Sequence, residues 1–313
     1  MQYIITNDMS INDTIKILKA GDTLLLKPGI YKEKIEILAN DITIIGEEPS
    51  STVITNHDFY HKIMSDNNEC NTFRTYTMFI NGNNVRLKNL TIENSAIPSN
   101  KYGQAVALHV QGNNFQCENC IIKSAQDTLF TGPLPANLIQ RYKDFLPNYF
   151  LVDKSSKQIY KNCTIIGDVD FIFGGATALF YECKIVSLAR MDKILNEPNG
   201  YICAPSHKKE LQYGFLFYKC DIICENGCSN VYLARPWRDY GCAAFILCNM
   251  AEHINPIGYN KWGNTNRDKT ARFYEYSLNI DMTKRAPWIK VLNDQEAKDY
   301  LKSFNDFLGN FDL

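Results

Sequence analysis

The chain has almost no net charge, no long apolar run and few histidines, and each shortage removes a class of function. Its formal net charge is −1 over 313 residues, so no excess of one sign points to nucleic acid or an anionic membrane as a partner. It has no uninterrupted apolar stretch of about 18 residues, the length that reads as a bilayer span. Met1 to Lys16 lacks a basic region followed by an apolar one. That absence predicts a cytoplasmic protein, or a secreted one if a signal has been removed. His57, His61, His109, His207 and His253 are scattered without metal-ligand spacing, and His109 reads as a packed residue rather than a catalytic one. There is no GxSxG elbow for a serine hydrolase and no glycine-rich phosphate loop.

Cysteine, by contrast, is plentiful. Eleven is too many to ignore and is an odd number, and a hydrophobic content of 45% allows a large core. The cysteines are organised by a repeat of alternating apolar residues, then Leu or Cys, a polar residue and Ile. Its copies include Val85 to Ile92, Phe115 to Ile122, Ile159 to Ile165, Leu179 to Ile185 and Phe215 to Ile222. The aligned positions Leu90, Cys120, Cys163, Cys183 and Cys220 are spaced by 30, 43, 20 and 37 residues. A constant strand core with variable loops predicts a parallel β-helix, with Thr23 to Lys27 and Ile42 to Ile45 as earlier coils. Asn81 to Asn84 and Asn113-Asn114 suit its tight bends. The aligned cysteines then form an interior line of inert thiols. Zinc is the alternative that Cys117-Glu118-Asn119-Cys120 raises, but on a continuous strand the two thiols would face opposite sides. Near the end, Asn293 and Glu296 form a capping box before Ala297, Tyr300, Leu301, Phe304 and Leu308 at helical spacing. This predicts a C-terminal helix over the end or side of the solenoid.

The same repeat brings two aspartates into register. Asn119-Cys120 and Asn162-Cys163 are each followed, seven residues after the Cys, by Asp127 and Asp170. Adjacent parallel strands lie about 4.8 Å apart. Carboxylates in that relation form a pair in which one stays ionised and the other is driven to hold a proton. Asp168 is a rival to Asp170 by strand parity. By the same count from Cys183, Arg190 falls one coil further on at the same phase.

Five segments occur in order: Gly29-Ile30-Tyr31-Lys32-Glu33, Gln104-Ala105-Val106-Ala107-Leu108, Gln126-Asp127-Thr128-Leu129, Asp170-Phe171-Ile172-Phe173-Gly174 and Leu233-Ala234-Arg235-Pro236-Trp237. Together they resemble the pectin methylesterase (pectinesterase) family. Phe273 to Tyr276 and Arg285 to Trp288 extend the likeness toward the tail. The resemblance implies an all-β, single-stranded right-handed parallel β-helix that removes methyl esters from the galacturonate units of pectin or oligogalacturonides, with no metal or organic cofactor. It implies Asp170 as nucleophile, Asp127 as acid/base, Gln104 and Gln126 as oxyanion donors, and Arg235 as the partner that keeps Asp170 ionised. Trp237, Arg190, Phe130, Val169 and Phe173 are the implied substrate contacts. Ala234 departs from the usual glycine before the arginine. Residues 132–156 form an inserted loop resembling an extension of a bacterial branch, placed to wall the sugar cleft through Tyr142, Phe145, Tyr149 and Phe150 or simply to pack on the surface.

The expected protein is therefore a single domain over residues 1–313, a monomer with no nucleic-acid or membrane partner, cytoplasmic and acting on imported oligogalacturonides. Two rival readings stand beside it. One is a glycosidase or lyase on a similar solenoid, since paired carboxylates also suit retaining glycoside cleavage. The other is a non-catalytic carbohydrate-binding solenoid.

Overall fold

The computed structural model describes residues 1–190, 192 and 197–309. Among them, the strands form three all-parallel sheets of eleven, eight and seven strands. Each coil contributes one short strand to each sheet, and the whole is a right-handed parallel β-helix. One coil runs through Phe115–Glu118, Ile121–Lys123 and Leu129–Thr131. The next runs through Lys157–Lys161, Thr164–Gly167 and Val169–Gly174.

The repeat seen in the sequence is not one strand but two, joined by a single left-handed residue. Asn89, Asn119, Asn162, Glu182, Lys219 and Leu247 all have φ between 49° and 57° at this corner. Asparagine is favoured there because its short polar side chain tolerates that conformation. The Asn119 amide also donates to Asn89 Oδ1 at 2.9 Å on the coil before. A second corner uses Asp41, Asn84 and Asn114 in the same way, with φ of 58°, 56° and 55°. The corner corrects the expectation for Cys117 and Cys120. The break at Asn119 turns both thiols inward, and both are buried.

The interior cysteine line is present and longer than the sequence suggested, because Cys248 joins it. All eleven cysteines are free. Within the ladder, Cys183, Cys220 and Cys248 donate to Tyr160 O, Phe180 O and Phe217 O at 3.3, 3.2 and 3.3 Å. Cysteine fits because it is small, mostly apolar and a weak donor at once. Beside this line Tyr160, Phe180, Phe217 and Phe245 stack with ring separations of 4.9, 4.6 and 4.5 Å. Such stacks add about 0.5–1.5 kcal/mol per pair beyond the burial of the rings. The stack ends at Glu275, which pairs with Phe245 across the sheet and is fully buried. Its charge is met by Arg285 at 2.8 Å and by the Tyr259 hydroxyl at 2.8 Å. Two of the tail segments that resembled the family thus serve to close the core.

The helix Asp294–Leu308 has the expected capping box, and Gly309 ends it at φ 104°. It covers the side of the solenoid rather than its end. Ala297 and Phe304 pack on Leu179, Leu216 and Ala244 of the eleven-stranded sheet. Among the described residues no helix is long and apolar enough to cross a membrane.

Candidate active site

The site is built where coils enter the seven-stranded sheet. Gln104 and Gln126 form a parallel bridge between adjacent coils, and Ala105 N donates to Gln126 O at 3.0 Å. One residue on, Asp127 N donates to Val169 O at 3.1 Å. Asp127 and Asp170 stand equally far ahead of Leu129 and Ile172, which pair in register. The two aspartates therefore share one phase on successive coils. Both are left-handed, at φ 64° and 49°, an uncommon conformation for a residue with a Cβ. Downstream, the chain needs glycine at 174. Its φ is 126°, and a Cβ there would lie 2.0 Å from Thr131 O.

Gln104, Gln126, Asp127, Asp170, Phe173, Arg235 and Trp237 all line one cleft of about 410 Å³. Arg235 grips Asp170 with both ends of its guanidinium, Nε to Oδ1 at 2.8 Å and Nη2 to Oδ2 at 2.6 Å. Burial raises the Asp170 pKa above the usual carboxylate value, and the Arg235 charge and hydrogen bonds work against that rise. Asp127 has no such cation bonded to it. Burial, and then the charge of Asp170, raise its pKa well above the ordinary range. Both carboxyls are thus raised, Asp127 further than Asp170, so Asp127 is the one favoured to hold a proton. Among the described residues neither Gln104 nor Gln126 makes a side-chain hydrogen bond, so both amides are available to a ligand.

Arg235 is itself held in place by residues that sequence reasoning missed. Its guanidinium lies 3.7 Å from the Tyr201 ring centre and 4.1 Å from that of Trp262. Tyr201 follows from the register, since it pairs with Val169 on the next coil, but no motif marked it. Trp262 lies on a loop with φ 70°, remote in sequence from every motif. Ala234, in place of the usual glycine, sits fully buried in the regular strand Val231–Ala234, and the backbone accommodates it.

Three expected contacts do not reach the cleft. Phe130 is fully buried beneath Phe73 and Phe173, with ring separations of 5.1 and 4.8 Å, and serves as packing. Val169 is buried at its strand start and does not line the cleft. Arg190 pairs with Asp192, Nη2 to Oδ2 at 2.6 Å, and its charge acts on Asp168. The phase count fails for Arg190 because the chain leaves the coil after Ser187 and rejoins the seven-stranded sheet only at Gly200. Asp168, the rival nucleophile, is likewise outside the cleft lining. The Ser99 hydroxyl donates to it, and it accepts from Val169 N at 2.6 Å.

Of the four rings of the inserted segment 132–156 expected to wall the cleft, Tyr142 does so, and Phe145, Tyr149 and Phe150 do not line it. Leu138, Arg141 and Tyr142, on the helix Ala136–Tyr142, line the cleft. Phe150 packs on Phe79 at 4.1 Å, while Phe145 is 69% exposed. Thr72 and Phe73 line the cleft as well, Phe73 edge-on to Tyr142 at 5.8 Å.

Residues 6–308 match the family model described as Pectinesterase. The chain belongs to the pectinesterase family. It is 31% identical to Pectinesterase 31 of Arabidopsis thaliana over 93% of this chain and 86% of that protein. Its fold superposes with a TM-score of 0.76 on a pectin methylesterase in complex with a hexasaccharide, at 26% identity, covering 96% and 93% of the two chains. The pectin methylesterase PemA from Erwinia chrysanthemi shares the fold with a TM-score of 0.77, at 24% identity and 98% and 97% coverage. This enzyme is accordingly a carboxylic ester hydrolase that removes the methyl esters of pectin. Family membership overturns the cytoplasmic placement expected from the sequence. Pectinesterases are extracellular or secreted cell-wall enzymes, and the missing leader pattern is outweighed by that.

Proposed function

We propose that Asp170 is the nucleophile of ester hydrolysis and Asp127 its acid/base partner. The observation that carries this is the asymmetry of two carboxyls at one phase, one clamped by Arg235 and the other with no cation bonded to it. An Asp170 oxygen attacks the ester carbonyl carbon, and the oxyanion that forms accepts hydrogen bonds from the Gln104 and Gln126 amides. As the C–O bond to methoxide breaks, Asp127 donates its proton and methanol leaves. The anhydride between Asp170 and the galacturonate is then hydrolysed. Asp127, now a carboxylate, takes a proton from the attacking water, and Asp170 departs as the anion that Arg235 stabilises. No metal or organic cofactor enters these steps. Trp237 and Phe173 supply apolar surface for a sugar ring.

The reading extends to the chain as one domain that acts as a monomer, without a nucleic-acid or membrane partner. Its narrower placement in a bacterial branch rests on segment 132–156 and on Arg190, whereas the curated relatives matched are mostly plant proteins.

Methanol release from methyl-esterified pectin tests the assignment. Asp170→Asn and Asp127→Asn are each expected to lose roughly 10³–10⁴-fold in kcat while remaining folded. The wild-type profile should fall at low pH as Asp170 is protonated and at high pH as Asp127 loses its proton. Near-normal turnover by either variant would exclude that residue from the chemistry.

A further inference from the structure

The outer face of the seven-stranded sheet is open at one end and covered at the other. Glu36, Phe79, His109, Phe130, Phe173 and Ala204 stand opposite one another on successive strands. Their chain neighbours, such as Met78, Ile80, Leu108 and Val110, belong to the solenoid core, so this row points outward. Phe173 and Ala204 line the cleft. Phe130, His109 and Phe79 are fully buried, although they stand on the outer face. Two loops cover them. Phe73, on the turn Thr72–Arg74, packs on Phe130 at 5.1 Å. Phe150, from the inserted segment, lies against Phe79 at 4.1 Å and His109 at 5.4 Å.

The two loops meet and are fastened to the sheet. The Phe73 ring lies edge to face with that of Tyr142 at 5.8 Å. Gln111 Nε2 donates to Tyr149 O and Phe150 O at 3.2 and 3.1 Å, and the Tyr149 hydroxyl donates to Glu36 Oε2 at 3.0 Å. The result is a wall across the row. Beyond it lies a separate concavity of about 390 Å³, bordered by Glu36, Tyr76 and Phe145, which shares no lining residue with the cleft. On the other side the cleft runs on. Asn137 and Arg238 line both it and a neighbouring concavity of about 230 Å³. The cleft is therefore closed toward the early coils and open toward the later ones. Its own volume of about 410 Å³ is near the lower end of the roughly 300–1,000 Å³ usual for small-molecule sites, which is room for a few sugar rings.

We propose that this wall makes the enzyme act at or near one end of a galacturonan chain. A chain lying along the row must stop at Phe73 and Tyr142, so the unit at Asp170 has few neighbours on that side. An ester in the middle of a long chain reaches Asp170 only if the chain crosses the wall. The proposal rests on the esterase reading of the cleft. It assigns the inserted segment and Phe73 the choice of where along a chain that esterase works.

The position of the first ester lost tests this. The substrate is a fully esterified octagalacturonate labelled at its reducing end, read by tandem mass spectrometry. The wild-type enzyme should remove esters next to one terminus about tenfold faster than those of the central units. Ser156 Oγ donates to Gly132 O at 3.4 Å, so the ends of the inserted segment meet and residues 134–154 can be replaced by a Gly-Ser turn. That variant should remove terminal and central esters at rates within about twofold of each other. Excision uncovers Phe79 and His109, so Tyr142→Ala provides the second reading: the residue is half-buried at the end of its helix, and alanine keeps the helix. Its central share should rise severalfold. Even loss along the octamer by wild type would overturn the proposal, as would an unchanged terminal bias in Tyr142→Ala. If no substrate releases methanol, the esterase reading fails and binding decides the wall by itself. In calorimetry the affinity of esterified oligomers should then stop rising by the tetramer, and either a steady gain to the octamer or no binding would overturn the wall.

Discussion

The same backbone device appears at two corners of this solenoid with opposite energetic results. At the corner between the eleven- and eight-stranded sheets, left-handed asparagines stack and their amides bond coil to coil, as Asn119 does to Asn89. At the entrance to the seven-stranded sheet, left-handed Asp127 and Asp170 occupy the same relation, but carboxylates cannot hydrogen-bond one another when both are charged. An amide ladder satisfies itself. A carboxylate ladder must be resolved by an outside cation and a retained proton, and that is the state the proposed mechanism draws on. The interior shows the satisfied extreme, with thiols bonded to carbonyls and rings stacked in register.

Four substitutions would sharpen or break this contrast. Breaking the interior stack should cost most. Phe217→Ala removes a fully buried ring from between Phe180 and Phe245, and is expected to lower stability by about 3–5 kcal/mol in denaturant unfolding. Asn119→Ala should cost about 1 kcal/mol by the same measurement, because alanine is strained at φ 49° and the exposed amide bond to Asn89 is lost. A cost near zero would mean that the corner does not depend on its asparagines.

The site should respond in the other direction. Burial raises the pKa of Asp127 in the folded state, so the folded protein retains a proton that the unfolded chain releases above its ordinary value of 3.8. Stability is therefore lost as pH rises from that value through the raised one. Asp127→Asn removes the titration. It should raise Tm near neutral pH, with the gain shrinking as pH falls toward 3.8. A variant no more stable than wild type at any pH would show that the site carries no such strain. His109 gives the opposite slope. Burial among aromatic rings pushes its pKa down to about 3, so stability should fall as pH drops below about 6.5. His109→Leu should flatten that fall.

Much of this was legible along the chain because β-helix coils repeat. The Asn-Cys register placed Asp127 and Asp170 at one phase, and the capping box placed the last helix. The count failed where the chain left its coil. Arg190 lies in such an excursion, so its distance from Cys183 carried no phase. Phe130 failed for another reason: alternation along a strand says which side a ring faces, but not what is packed above it, and Phe73 covers it here.

The sequence by itself determined the solenoid, its thiol line and the carboxyl pair, because all three follow from short-range periodicity repeated in register. Only the tertiary structure decided what surrounds that pair. Tyr201 and Trp262 meet on Arg235, and Phe73 and Tyr142 meet at one wall, because loops of unrelated length fold back over the same sheet. Spacing in the chain holds no record of those meetings. They are set by where each loop finds apolar cover and a partner for its charge.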